Sequence, residues 1–260
     1  MTTPLSGRRV VVTRPSTQAQ ELCHLLEEAG ATPVPIPVLR LRPLLDPEAI
    51  VELRTRIAAG DFQDVVFTSA NACSLLFEPG TLPQGAARAF AIGPGTAIPL
   101  ERAGWSVQSL PDGFVAEALV DRIAQEPCAG RRMLLPRARG GRAVLPDRLR
   151  ALGALVEEVE LYEAVPAWES RSLLQAELRS ARCDCVTFAS GSAALFFADL
   201  AGPVRAPEGC VLAAIGPATA AAMAGVGIVP QVVADPHTIK GLVEALLTWY
   251  GHLPDNEGQP

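Results

Sequence analysis

Two kinds of short turn in this sequence carry hydroxyl and amide side chains, and each kind occurs twice. Thr68-Ser69-Ala70-Asn71 is echoed by Ala189-Ser190-Gly191-Ser192, and Gly93-Pro94-Gly95-Thr96 by Gly216-Pro217-Ala218-Thr219. Each follows a short apolar run with the look of a strand and precedes a segment with the look of a helix. The N–H groups at a helix N-terminus, backed by the positive end of the helix dipole, suit a carboxylate or a phosphate. Small hydroxyl residues add donors there without blocking close approach of the backbone. The competing reading is that Ser69, Asn71, Thr96, Ser190, Ser192 and Thr219 do no more than cap their own helices.

Arginine supplies a second set of anion-binding groups. Arg131, Arg132, Arg137, Arg139, Arg142, Arg148 and Arg150 crowd a stretch whose one acid is Asp147. Arg137-Ala138-Arg139-Gly140-Gly141-Arg142 comes directly after a strand-like run, where glycines permit close approach and guanidinium groups take carboxylates bidentately. Of the 22 basic residues only Lys240 is lysine, so a solvated arginine face in an arginine-biased chain is the alternative. Tyr162 is one of two tyrosines and lies late in the run Val156 to Val165. It is either a site residue or a core ring with a satisfied hydroxyl.

Other chemistries lose support. The sequence has no G-x-G-x-x-G, no G-x-x-x-x-G-K-[ST], no G-x-S-x-G and no H-E-x-x-H. Three histidines leave little for a His-based triad or metal site, and the six cysteines form no C-x-x-C and no zinc-ligand spacing. Reduced, partly buried thiols in a cytoplasmic protein fit that pattern. A net charge of −6 argues against nucleic-acid binding through a global positive field. With 49% hydrophobic and 19% charged residues, long disorder is excluded and a sizeable core is expected.

The elements that must position these groups are written twice. Gly7-Arg8-Arg9-Val10-Val11-Val12-Thr13-Arg14 matches Gly130-Arg131-Arg132-Met133-Leu134-Leu135-Pro136-Arg137, Gly30-Ala31 matches Gly153-Ala154, and Ala91 to Ala97 matches Ala214 to Ala220, all at an offset of 123 residues. Val65 to Ala72 matches Val186 to Ala193 at an offset of 121, and Phe114 to Val120 runs parallel to His237 to Val243. The repeat therefore spans 7–120 against 130–243. Tyr162 falls where the first copy has Leu39. Val10 to Thr13 is a β-branched run typical of a buried parallel strand. The next helix shows Leu22, Leu25, Leu26 and Ala29 on one stripe, opens near Thr17-x-x-Gln20, a capping-box pattern, and stops at Gly30. Strand–helix alternation of this kind predicts two α/β lobes, each a parallel sheet flanked by helices, with a ligand cleft between them. Gly209 to Ala234 is uncharged and long enough to span a bilayer. Its glycines and prolines, and its likeness to a charged copy, instead predict strand–turn–helix–strand in a protein with no membrane span.

In combination these features resemble the uroporphyrinogen-III synthase family. The residues carrying the resemblance are Val-Val-Val-Thr-Arg-Pro (10–15), Val-Phe-Thr-Ser-Ala-Asn (66–71), Ala-Ile-Gly-Pro-Gly-Thr-Ala (91–97), Leu-Leu-Pro-Arg-Ala (134–138), Gly-Ala-x-Val-x-x-Val-x-x-Tyr (153–162), Phe-Ala-Ser-Gly-Ser (188–192) and Ala-Ile-Gly-Pro-Ala-Thr-Ala (214–220). The resemblance implies a discontinuous lobe of residues 1–38 and 167–260, a second lobe of 39–166, and a two-stranded linker. It implies a monomeric, cytoplasmic, cofactor-free and metal-free lyase with a small-molecule polycarboxylate substrate and neither nucleic acid nor membrane as partner. The reaction implied is cyclisation of linear hydroxymethylbilane with inversion of its last pyrrole ring. On that basis Tyr162 is expected to assist departure of the hydroxyl. Arg14, Ser69, Asn71, Gly93, Thr96, Arg137, Ser190, Ser192, Gly216 and Thr219 are expected to hold the substrate. Ala189 stands where the family frequently has Thr or Ser. A non-catalytic two-lobed sensor for a tetrapyrrole or other polycarboxylate is the alternative.

Overall fold

The computed structural model describes residues 3–77, 80, 87–108, 115–180 and 182–252. Phe114 of the repeat and the tail from residue 253 lie outside the described residues. In chain order the elements are β1 (Arg9–Val12), α1 (Ser16–Glu28), β2 (Thr32–Pro35), β3 (Leu39–Pro43), α2 (Pro47–Ala58), β4 (Asp64–Phe67), α3 (Ala70–Leu76), β5 (Arg88–Ala91), α4 (Pro94–Arg102) and α5 (Ala116–Ile123). The chain continues through β6 (Arg132–Ala138), α6 (Val144–Ala151), β7 (Leu155–Pro166), α7 (Arg171–Arg179), β8 (Cys185–Phe188), α8 (Gly191–Ala201), β9 (Val211–Ala214), α9 (Pro217–Gly225), β10 (Val232–Val233) and α10 (Ile239–Gly251).

These elements form two compact units, Met1–Leu41 with Ala164–Pro260, and Arg42–Glu163. Both boundaries fall inside strands, β3 and β7. The first unit holds a sheet of order β10-β9-β8-β1-β2 and the second a sheet of order β3-β7-β6-β4-β5. The strand pairs β1 with β2 and β8, β8 with β9, β9 with β10, β4 with β5 and β6, and β6 with β7 are all parallel.

Strand alternation sends successive side chains to opposite faces, and β1 follows it. Val10 and Val12 pack with Leu22 and Leu26 of α1 and Leu242 and Leu246 of α10. Val11 packs on the other face with Leu174 of α7, Ala194 and Phe197 of α8 and Met223 of α9. In the second unit Val66, Phe90, Met133 and Leu135 meet Leu119 and Ile123 of α5 and Leu145 and Leu149 of α6. Pro33 and Pro35 are tolerated in β2 because it is an edge strand, where one side needs no ladder donors.

One local expectation is corrected. The Thr17-x-x-Gln20 capping box does not form: α1 begins at Ser16 after Pro15, with no side-chain cap, so Thr17 is already inside the first turn. The uncharged stretch Gly209 to Ala234 is divided among β9, α9 and β10, and no helix among the described residues is long and apolar enough to cross a membrane.

Candidate active site

Parallel strands place all their C-terminal ends on one edge of a sheet, which is where ligands sit in open α/β folds. In the second unit that edge carries the Thr68-Ser69 turn, the Gly93 turn, the loop after β6 and the middle of β7. Ser69 has extended backbone geometry and its Oγ accepts the Asn71 N–H at 3.1 Å, capping α3. The same Oγ accepts the phenolic hydroxyl of Tyr162 at 2.8 Å. With both acceptances made, Ser69 still holds its own proton, which no bond among the described residues uses. Ser69 thus both caps α3 and receives the Tyr162 phenol.

The long strand β7 brings Tyr162 to this point. It pairs with β6 residue by residue until the register shifts between Arg137 and Ala138, where Arg137 faces Glu160 and Ala138 faces Tyr162. A shift of this kind re-aims the side chains beyond it. The Arg139 N–H then donates to the Tyr162 carbonyl at 2.8 Å, and the Tyr162 ring is buried with 5% exposure.

Around the pair lies a cavity of about 430 Å³. Ile92, Val115, Leu135, Leu145 and Pro146 make its apolar wall, and Ser69, Tyr162, Arg137, Arg142 and Glu117 its polar groups. Arg137 is buried and already committed: one Nη donates to Glu158 and the other to the Arg142 carbonyl at 2.9 Å. Glu158 also takes Arg150 at 2.8 Å, and Arg139 is matched by Glu160 at 2.8 Å. Much of the arginine cluster is therefore paired across β6, α6 and β7. Burial pushes the Cys73 thiol of α3 up to about 11, which removes it as a nucleophile near neutral pH. Gly93 caps α4 through its extended backbone with no side-chain bond, and Thr96 in the first turn is buried. Asn71 is half-buried at the start of α3.

The first unit repeats the arrangement. Ser190 caps α8 by accepting the Ala193 N–H at 3.2 Å, Ser192 is exposed on the first turn, and Gly216 precedes α9 with Thr219 buried behind it. Arg14 follows β1; it donates to Gln18 at 3.5 Å, and its Nε is buried without a hydrogen-bond partner among the described residues. Burial lowers its pKa, against the opposing pull of Glu21. Thr13 and Thr187, passed over on sequence grounds, lock the adjoining strands: Thr13 donates to the Thr187 carbonyl at 2.7 Å and Thr187 to the Val11 carbonyl at 2.9 Å. His237 was also passed over. A Cβ on Gly216 would lie 3.0–3.2 Å from its side chain, so the glycine admits the ring to the strand edge. The repeat held the signal, since His237 stands opposite Phe114 much as Tyr162 stands opposite Leu39. Among the described residues no group of three His, Cys, Asp or Glu side chains could hold a metal ion.

Comparison with known proteins agrees with this architecture. The family model described as uroporphyrinogen-III synthase HemD matches residues 20–244. The uroporphyrinogen-III synthase of Synechococcus elongatus is 30% identical over 260 aligned residues, covering 95% of this chain and 97% of that protein. That of Chlorobaculum parvum is 27% identical over 251, covering 92% and 99%. Among solved structures, a mutant uroporphyrinogen III synthase of Thermus thermophilus superposes with a TM-score of 0.62 at 22% identity, covering 92% of this chain and 96% of that one. The Helicobacter pylori enzyme gives 0.59 at 19%, covering 93% and 99%. Those structural likenesses establish the two-domain fold, and the sequence matches establish descent: the chain belongs to the uroporphyrinogen-III synthase family.

Proposed function

We propose that this protein closes linear hydroxymethylbilane into uroporphyrinogen III, inverting the last pyrrole ring, as a cyclising lyase of tetrapyrrole biosynthesis. The observation that best supports a site for this reaction is the Tyr162–Ser69 hydrogen bond of 2.8 Å in the lining of the second unit's cavity. The substrate's terminal C–O bond must break, and the departing hydroxyl takes up a proton and leaves as water. A buried phenol beside a hydroxyl group is a suitable donor for that step. Ser69 holds the Tyr162 ring in aim, and the phenol turns from Ser69 to the leaving oxygen when substrate fills the cavity. The resulting azafulvene cation is attacked by the substituted position of the last pyrrole. The spiro intermediate reopens and recloses with that ring reversed, releasing a proton. Unassisted closure occurs without inversion, so the protein's contribution is chiefly to hold reacting atoms in place. Within the second unit, the Ser69–Asn71 turn and the α4 N-terminus offer donors to the substrate's carboxylate arms.

The test is direct. Purified protein is given freshly made hydroxymethylbilane, the products are oxidised, and isomers I and III are separated chromatographically. Isomer III in excess of the uncatalysed background is the expected result. Isomer I alone, with tight binding of added uroporphyrin III, would instead make the protein a non-catalytic tetrapyrrole binder.

A further inference from the structure

The arginine best placed to grip a carboxylate in the cavity is not the one that the repeat highlights. Arg137 matches Arg14 across the two copies, yet its charge is met by Glu158 and its second Nη is spent on the Arg142 backbone at 2.9 Å. Arg142 differs on each count. Its side chain lines the cavity and is exposed, and it enters none of the ion pairs among the described residues. Its backbone, by contrast, is firmly held. The Arg137 guanidinium clasps its carbonyl, and at the other end of the loop the Arg139 N–H is fixed to the Tyr162 carbonyl at 2.8 Å.

Gly141 is what allows this clasp. A Cβ at that position would fall 2.9 Å from Nε and 3.0 Å from Cζ of Arg137, and closer still to an Nη. The guanidinium lies flat against the loop because residue 141 has no side chain. Arg137 then acts as a positioning residue, converting a buried ion pair into a fixed starting point for the Arg142 side chain. A long side chain on a fixed backbone gives up less freedom on binding than one on a loose loop.

We infer that Arg142 is the cation of the second unit that takes a carboxylate arm of the substrate, with Arg137 and Gly141 holding it in register with Tyr162. The inference rests on the tetrapyrrole reading above and adds the residue that orients the substrate relative to the phenol. Loop and phenol share the Arg139–Tyr162 backbone bond, so the grip on the arm and the aim of the proton donor are mechanically linked.

The experiment compares wild type, Arg142→Ala and Arg142→Lys in two assays, with melting temperatures recorded to confirm folding. One is steady-state turnover of hydroxymethylbilane. The other is equilibrium binding of uroporphyrin III, an air-stable tetrapyrrole with the product's eight carboxylates, at low and high salt. Loss of one charge-assisted contact predicts for Arg142→Ala a rise of about tenfold in KM and in the uroporphyrin Kd, with a smaller change in kcat. Arg142→Lys recovers part of the loss, and Arg142→Ala binds with a shallower salt dependence than wild type. Arg137→Lys raises KM in the wild-type background and has no further effect in Arg142→Ala, as a residue acting through Arg142 must. Values of KM and Kd for Arg142→Ala within about twofold of wild type would overturn the inference. If wild type makes no isomer III the functional reading fails instead, and the uroporphyrin measurement still decides whether Arg142 binds a polycarboxylate.

Discussion

Tyr162 and Ser69 lie 93 residues apart in sequence and share one hydrogen bond, so their roles can be separated by substitution. Tyr162→Phe removes a hydroxyl and leaves the ring packed; the lost bond is worth about 1 kcal/mol of stability. Turnover should nonetheless fall at least about tenfold, the effect of losing a transition-state contact of about 1.4 kcal/mol or more. Ser69→Ala behaves differently. It uncaps the seven-residue helix α3, at about 1 kcal/mol, and strands the phenol without its acceptor, so activity and melting temperature should drop together. Paired measurement of kcat and melting temperature checks both; a Tyr162→Phe enzyme with wild-type turnover would remove the phenol from the mechanism. A polar replacement at a repeated position drew notice to Tyr162 but left core packing equally open, and its expected role came from the family resemblance. The Arg137–Arg142 stretch was marked as anion-binding, but which of its arginines is spent depends on which carboxylates fold against it.

The duplicated elements agree down to individual bonds. Gly7 donates to the Gly30 carbonyl at 3.0 Å, and Gly130 to the Gly153 carbonyl at 2.9 Å. Gly30 and Gly153 stop their helices at φ of +82° and +86°, a region that disfavours side chains. Asp184 accepts the Arg9 N–H at 2.8 Å, and Gln63 at the matching place accepts the Arg132 N–H at 2.8 Å. Acid and amide differ, yet the strand entry is built identically because only an acceptor oxygen is required. Gly153→Ala carries both the left-handed strain, about 1–2 kcal/mol, and a collision with Ala129, whose Cα would lie 3.1 Å from the new Cβ. Gly60 has a similar φ of +83° with open space around it, so Gly60→Ala carries the strain alone. Urea unfolding should therefore show Gly153→Ala as the less stable of the two; the reverse order would mean that the Ala129 contact relaxes freely. Such glycine stops were legible in the sequence. The Thr17 capping box was misread because the same residues satisfy a helix that starts earlier.

Across the whole chain, repeat and compact unit do not coincide. The first unit's sheet takes β1 and β2 from the first copy and β8, β9 and β10 from the second, while the second unit combines β4 and β5 with β6 and β7. Matched strands keep the same order in both, β9-β8-β1-β2 against β5-β4-β6-β7. A fragment of residues 39–166 holds all five strands of its sheet and should unfold cooperatively in urea. A fragment of residues 7–124, the first copy of the repeat carried through to the end of α5, holds strands of both sheets and completes neither; it should lack a cooperative transition by circular dichroism. Cooperative unfolding of the 7–124 fragment would show that a single copy is self-sufficient. The sequence by itself determined the repeat, the strand and helix types and the hydroxyl-bearing turns, because apolar periodicity and glycine stops act over a few neighbouring residues. The repeat left open which half of each copy pairs with which, and only the family resemblance implied it; tertiary structure alone decided where the β6–β7 register slips to aim Tyr162, and that Arg137 is spent on Glu158 while Arg142 enters no ion pair among the described residues. Each of those outcomes depends on contacts between strands distant in sequence, where a one-residue change of register exchanges the buried and open faces.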